Sequence, residues 1–572
     1  MLRREGLFPV IACLSALGIA GFSNALAASA SPDPPPRPAQ ATTGPAPQPS
    51  PFTPEIVLLD GAPQSGPAHQ PPPVRPQNPA SYEVAKRAAD ASAGSSQSPY
   101  KHVTTTTRKS STTTVAPTTT VAPTTTAVVG SPPTVGAASS AGVYQTGIAP
   151  PDSTGAIGPN GYIELINDMF GMYNRSGALL SSGTMTTWTG EPSADGLSDP
   201  QIFWDSGSQR FFYNIVDTST NHMAYGFSLG PNPQSRSDFC HYDNDFQYGS
   251  DLPDYPKMGD TKDFILIGVN RFGGLFGNYI GSDVNWVVKP APGALSTCPL
   301  GGFGAGQFTS LKAPDGTDAF TPVPSVQADA DPTGWVVSAH DATSGPASAL
   351  TVFSVTNSAG SAVVSGGHGI SVSSYSVPAS APQKGTTVKL DTLDGRLEHA
   401  VSAVDPHWGK TAIWTAHAVF GGAGSEERWY EIDPAGAAIL QSGKATSATA
   451  YVWNGAISPD RADDGTTGVY GDAMVMGFNT SSGSTYPAIQ MVSQQAGLPQ
   501  SAFVLVQPST GYNADFTCGT SPCRWGDYSG ATPDPAAPAG AHGQVWLSNQ
   551  WNVASINGST TVWRTWNWVA TP

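Results

Sequence analysis

A polar residue recurs seven times in this chain, each time six positions ahead of an Asp or Pro turn that leads into an apolar run. No other feature restricts the fold as much. The copies begin at Ser153 (turn at Pro159), Asp199 (Asp205), Asp254 (Asp260), Ser325 (Asp331), His399 (Asp405), Asn454 (Asp460) and Tyr528 (Asp534). Their spacings of 46, 55, 71, 74, 55 and 74 residues suit one four-stranded sheet with its loops per copy. Small residues fill much of the six-residue stretch, as in Thr154-Gly155-Ala156-Ile157-Gly158 and Ala400-Val401-Ser402-Ala403-Val404. Strands that converge on an axis leave little side-chain room, which explains that choice.

The runs after the turns read as second strands buried between neighbouring sheets: Phe211 to Val216, Phe264 to Val269, Trp335 to Ser338, Ala412 to Ala416, Met474 to Phe478 and Val545 to Ser548. Radial repetition is one of few ways to bury so many short antiparallel strands. The expected fold is therefore all-β, a seven-bladed β-propeller over residues 143–572, with a six-bladed ring and one stray match as the nearest rival. The strand Val562 to Val569, or Val143-Tyr144 at the other end, is expected to close the ring.

The part before 143 has a different composition. Of the 53 prolines, 22 fall in residues 28–140, whereas all 14 tryptophans fall between Trp188 and Trp568. Pro34-Pro35-Pro36, Pro71-Pro72-Pro73 and the tandem Val-Ala-Pro-Thr-Thr-Thr copies at 115–120 and 121–126 cannot bury a core. Residues 28–140 therefore read as a disordered Pro/Thr-rich stalk, with a short helix expected at 80–92. Residues 1–27 read as a signal peptide: Arg3 and Arg4, an apolar run from Leu7 to Ala20, and Ala25-Leu26-Ala27 before the cut. A secreted or cell-surface protein without a transmembrane helix is expected.

A formal charge of -16, from 26 basic and 42 acidic residues with no basic stripe, argues against nucleic acid as a partner. Cys240, Cys298, Cys518 and Cys523 remain after cleavage, and three pairings are formally open. Proximity favours Cys518 with Cys523, leaving Cys240 with Cys298. No cofactor is required by any motif. Calcium is a candidate at Asp238, Asp243, Asp245, Asp251 and Asp254, or at Asp460, Asp463 and Asp464, although neither set has calcium-loop spacing.

Ser198-Asp199-Pro200, Asp254-Tyr255-Pro256-Lys257, Gly395-Arg396, Arg428-Trp429-Tyr430-Glu431 and Arg524-Trp525-Gly526-Asp527-Tyr528-Ser529 resemble motifs of poorly characterised secreted bacterial β-propeller proteins, loosely grouped with sialidase-like folds. That resemblance implies propeller and export more than activity. The sialidase Asp-box, Ser-x-Asp-x-Gly-x-x-Trp, is absent.

If the copies align, Ser153, Asp199, Asp254, Ser325, His399, Asn454 and Tyr528 ring one mouth of the channel, a polar collar suited to a sugar or a hydrated ion. Turn capping by the same residues is the plain alternative. Arg396, Arg428 and Arg524 would grip an acidic sugar if they converged, or brace neighbouring carboxylates if they did not. For hydrolysis, Asp199, Asp254 and Asp527 are candidate carboxyls, His399 a candidate acid/base and Tyr528 a candidate nucleophile or transition-state contact. The expected function is recognition of an extracellular glycan or other polar ligand by a monomer. The alternative is a sialidase-like glycoside hydrolase or a lyase acting on an acidic polysaccharide.

Overall fold

The computed structural model describes residues 54–58, 75–95 and 129–572, apart from 146, 192–195, 274–276, 294, 302, 463–468, 520–521 and 555–561. The expected signal peptide, the tandem Thr/Pro copies, and Asp463 and Asp464 lie outside the described residues.

Seven sheets follow one another along the chain and form a seven-bladed β-propeller, antiparallel except where Val326–Gln327 pairs parallel to His399–Asp405. Their innermost strands are Thr154–Ile157 in blade 1, Leu197–Asp205 in blade 2, Leu252–Asp260 in blade 3 and Phe320–Pro324 in blade 4. His399–Asp405, Tyr451–Pro459 and Gly530–Pro533 serve blades 5, 6 and 7. Every apolar run expected as a second strand pairs with its own innermost strand.

Each sheet buries its faces only against its neighbours, and the core is accordingly divided among the blade interfaces. Phe203, Phe212 and Tyr225 of blade 2 meet Ile265, Ile267 and Val287 of blade 3, and Trp414 and Trp429 of blade 5 meet Met474, Met476 and Phe478 of blade 6. The seventh interface joins blade 7 to blade 1, where Trp546 stacks on Tyr162 at 5.2 Å. Crowding at the axis is real. A Cβ on Gly259 would lie 2.5 Å from the carbonyl oxygens of Pro324 and Ser325, and one on Gly530 3.0 Å from the Gly155 nitrogen.

The ring closes with strands from both chain ends. Val562–Thr571 is the third strand of blade 7, and Thr134–Val135 and Ser140–Ala141 pair along its outer edge. The closing residues therefore precede Val143-Tyr144, inside the stretch read as stalk. Two further pieces of that stretch pack on the ring. Glu55–Leu58 adds an outer strand to blade 2, and Pro79–Ser95 forms a helix, longer than the expected 80–92. A segment poor in core formers is ordered here because the propeller offers it a free strand edge and a ready-made apolar seat. No described helix is long and apolar enough to cross a membrane. The disulfides are Cys240–Cys298 and Cys518–Cys523, with Cα separations of 5.4 and 4.2 Å.

The turn aspartates that define the sequence repeat serve as clasps between blades. Lys289 is held by Asp205 at 2.9 Å and Asp260 at 2.7 Å, linking blades 2 and 3. Asp460 accepts from the Gly543 amide of blade 7 at 3.0 Å. Asp534 of blade 7 receives Arg175 of blade 1 and the Trp546 indole at 2.9 Å. Removing a buried acceptor strands its donors. Asp534→Ala should cost about 1–3 kcal/mol, seen as a lower urea midpoint with an unchanged slope. An unchanged midpoint would show that Asp534 does not clasp blades 7 and 1.

Candidate functional site

Four innermost strands carry the same backbone device. Asp199, Tyr255, Thr321 and Asn454 have φ of 55°, 56°, 51° and 58°, each at a β-bulge and each followed by Pro or Gly. A bulge with a left-handed residue redirects the strand and re-aims its side chains. Pro200, Pro256 and Pro322 lack an amide to be lost from the ladder there.

This places the expected collar more exactly. Asp199 and Asn454 occupy the bulge itself. Asp254 stands one residue before it, and Ser325 four residues beyond its counterpart Thr321. Ser325 accordingly bonds to Ser402 at 3.0 Å and braces blades 4 and 5. Ser153 is buried at the start of blade 1. The seven residues do not stand at one height, because the distance from bulge to turn differs between blades.

The axis is crossed by the segment 524–529. Tyr528 Oη donates to the Pro200 carbonyl of blade 2 at 3.3 Å, and Tyr255 Oη of blade 3 donates to the Asp527 carbonyl at 2.8 Å. The Asp527 amide donates to Asp152 at 2.6 Å. His399 Nε2 donates to Ala531 at 2.7 Å, reaching blade 7 from blade 5. Lys257 lies between the two tyrosines, its Nζ 3.3 Å from the Tyr528 ring centroid and 3.9 Å from that of Tyr255. These aromatic faces attract a cation but offer no acceptor lone pair.

Arg396 and Arg524 both act on Asp527, whereas Arg428 stands apart. Arg428 lies on the third strand of blade 5, engaged by Glu426 at 3.1 Å and by the Ser374 carbonyl at 2.7 Å. Arg396 is gripped by both oxygens of Asp394, at 2.8 and 2.7 Å, and Arg524 by Asp527 at 2.6 Å. The bracing alternative describes all three.

What remains at the axis is a set of buried groups without partners. Asp199 Oδ1, Asp254 Oδ2, Glu427 Oε2, Asn454 Oδ1 and Lys257 Nζ make no hydrogen bond. Neither oxygen of Glu398 meets a donor in good geometry, although the Ala418 and Gly455 amides lie near enough to favour its ionised form. Burial pushes Asp199 up to about 7, with Asp254 and Asp527 adding to it. Burial likewise raises Asp254 to about 6 and Glu398 to about 8, and Asp152 well above the carboxylate range. Desolvation lowers Lys257 to about 7 against the pull of Asp199 and Asp152. Strongly perturbed groups gathered in one place mark functional sites.

Two candidates have unsuitable chemistry for the roles expected of them. Burial holds His399 neutral, at about 4, with its Nε2 proton committed to a carbonyl. Burial raises the Tyr528 phenol, the opposite of what a nucleophile needs. Asp152, Lys257, Glu398 and Glu427 were missed as site residues. For Lys257 a signal existed, because Tyr-Pro-Lys repeats the bulge-Pro pattern of Asp199-Pro200.

The strap Arg75–Ser95 lies over this end. The Arg75 carbonyl accepts from Arg396 at 2.9 Å, and the Arg75 charge and amide both act on Asp254. In the helix, Tyr82, Ala85, Ala89 and Ala93 face the ring. Lys86 donates to Thr392 Oγ1 at 2.8 Å and the Leu393 carbonyl at 2.9 Å.

The expected calcium ligands do not gather: Asp243 and Asp245 lie on the outer part of blade 2, and Asp254 at the axis. Among the described residues one group, Asp460, Asp472 and His542, has ligand atoms within 4.8 Å of one another. Asp460 is committed there to the Gly471 and Gly543 amides. A cleft of about 560 Å³ opens near Ser206, Asp263 and Pro290, but its buried cation, Lys289, is already neutralised by the Asp205 and Asp260 clasp.

No known family profile matches the sequence, and no curated protein sequence matches it either. Among solved structures, the chain is similar to a variant of the apocarotenoid oxygenase of Synechocystis, with 10% identity, TM-score 0.34, and coverage of 62% of this chain and 71% of that one. It is also similar to the endosialidase of phage phi92, with 10% identity, TM-score 0.32 and coverage of 73% and 66%. A Trypanosoma rangeli sialidase mutant with trans-sialidase activity gives 11% identity, TM-score 0.29, and coverage of 66% and 54%. At these scores the fold rests on the sheet arrangement itself.

Two predictions follow from the geometry. An Asp whose folded pKa is raised costs no stability below about 3.8, an increasing amount between about 4 and 7, and its full cost above that. Asp199→Asn should therefore stabilise the protein at pH 8 by up to a few kcal/mol and leave it nearly unchanged at pH 4. Equal effects at both pH values would mean that Asp199 is not held protonated. Lys86→Met should release the helix 79–95, read as faster amide exchange there, with the blades keeping their protection. Unchanged exchange would show that Lys86 does not hold the strap.

Proposed function

We propose that the protein is exported and binds a hydroxyl-rich ligand of the carbohydrate class in the axial site. One observation carries this reading: buried donors and acceptors on blades 2, 3, 5 and 6 are left without partners. Unsatisfied buried polar atoms are costly, and a fold keeps them where a ligand or water supplies the missing bonds. Sugars present many hydroxyl groups that both donate and accept, which matches carboxyl oxygens, the Asn454 carbonyl oxygen and the Lys257 amine together. The two disulfides suit an oxidising compartment and accord with the leader-like start of the chain.

Glycoside hydrolysis is a second reading, favoured by Asp199 and Glu398 holding protons near neutral pH beside the more acidic Asp254. A general acid must be protonated where it works, and its partner ionised.

Titration calorimetry with a panel of neutral oligosaccharides tests binding. Wild type should bind at least one member, and Asp199→Asn and Glu398→Gln should each weaken it about tenfold, the worth of one hydrogen bond to a charged group. Binding that survives both substitutions, or no binding at all, would overturn the axial assignment. Release of reducing ends by wild type but not Asp254→Asn would add catalysis, and its absence in wild type would exclude it for the panel.

A further inference from the structure

Two rim clasps pair a turn aspartate with a fixed cation. Lys289 answers Asp205 and Asp260 between blades 2 and 3, and Arg175 answers Asp534 between blades 7 and 1. Between blades 6 and 7 the turn residue Asp460 is joined by Asp472, and blade 7 offers His542 in place of a lysine or an arginine. Among the described residues no lysine or arginine pairs with either carboxylate, and the neighbouring Arg461 is taken by Asp329 at 2.8 Å and the Tyr470 carbonyl at 3.0 Å. The Asp460 side chain is fully buried. Burying a carboxylate without a fixed cation is costly unless something else supplies the positive charge.

The local backbone brings the three side chains together. Asp460 follows the strand Tyr451–Pro459 and Asp472 precedes Ala473–Ser482, so both belong to one connection of blade 6. His542 lies in the blade 7 connection between Gly530–Pro533 and Val545–Val553. Its neighbour must be glycine, because a Cβ on Gly543 would strike the Asp460 carbonyl. His542 Nδ1 is buried, makes no hydrogen bond and stands 3.4 Å from Asp460 Oδ2. A charge-assisted N–H···O bond would be about 2.7–2.9 Å long. Two ligands held about 2.0–2.1 Å from one tetrahedral ion stand about 3.4 Å apart. Asp460 Oδ2 accepts the Gly543 amide at 3.0 Å and keeps a lone pair for an ion, while the Gly471 amide at 2.8 Å fixes Oδ1. Gln495 steadies Asp472 in the same way at 2.9 Å. Outer partners of this kind orient metal ligands.

We infer that Asp460, Asp472 and His542 bind a divalent ion of the zinc class, which staples blade 6 to blade 7 where Lys289 and Arg175 serve other interfaces. The donor set selects the ion. An imidazole nitrogen disfavours calcium and magnesium, which take oxygen ligands, and the lack of a thiolate disfavours copper(I). Three protein ligands leave the fourth position of a zinc ion to water, which the partly exposed His542 side admits. This site is separate from the axial one and does not depend on glycan binding.

The test is calorimetric titration of the full chain, freed of metal by chelator, with zinc chloride and with calcium chloride. Wild type should bind zinc more tightly than calcium, and His542→Ala and Asp472→Asn should each weaken zinc binding at least tenfold. His222→Ala, which removes the histidine beside Asp243 and Asp245 on blade 2, should leave it unchanged. Zinc should also raise the urea midpoint of wild type, and the rise should vanish in Asp472→Asn. That variant keeps the His542–Asp460 contact, so its midpoint without zinc should match that of wild type, which separates a metal staple from a plain ion pair. Absence of zinc binding, or binding that survives both His542→Ala and Asp472→Asn, would overturn the site. Loss of binding in His222→Ala would place the ion on blade 2 and overturn it equally. Calcium binding as tight as zinc would overturn the choice of ion, and zinc binding without a change in midpoint would overturn the staple.

Discussion

Ring closure is the constraint on which the rest of the molecule depends. Each blade has two apolar faces and no layer to cover them except the adjacent blade, so a missing interface would expose aromatic surface on both sides of the gap. Closure is non-local, since residues 134–141 complete a sheet whose other strands end at 571. The turn aspartates then fix neighbours against each other at the rim. A buried acceptor shared between blades tolerates little slippage, because its donors have no water to turn to.

Closure also dictates what the axis is like. Seven strands bring side chains into one narrow space, and small residues on the strands make room for large ones from elsewhere. The segment 524–529 enters that space and sets Tyr528 against Lys257 and blade 2. Lys257 is flanked by Tyr528 and Tyr255, and carboxyls of several blades are left unpaired nearby. Such groups oppose stability, which is why the proposed site is placed there.

The ring could be read from the sequence because its period is written in residues that every blade needs: a small innermost strand, a turn Asp, an apolar second strand. The site could be read only in part. Asp199 and Asn454 fell on the true bulge, since an αL residue before Pro or Gly favours Asp and Asn. Tyr255 and Thr321 break that preference, so the register slid to Asp254 and Ser325. The bracing role of the arginines was legible, since each has a carboxylate two or three residues away, but which carboxylate folds back onto the guanidinium is set by the local backbone. Lys257, Glu398 and Asp152 were hidden for a related reason: their importance lies in lacking partners, a property of the assembled axis. The helix at 79–95 could be expected from the sequence, but not its place on the ring, because its seat is built by loops three hundred residues later.

The central claim is that a bound sugar completes the unpaired axial groups, and a high-resolution crystal structure of the full chain soaked with a neutral oligosaccharide tests it most directly. The account predicts ligand density within hydrogen-bond distance of Asp199 Oδ1, Glu398 and Lys257 Nζ. Density at another surface, or an axis in which those three groups are paired with one another, would contradict it.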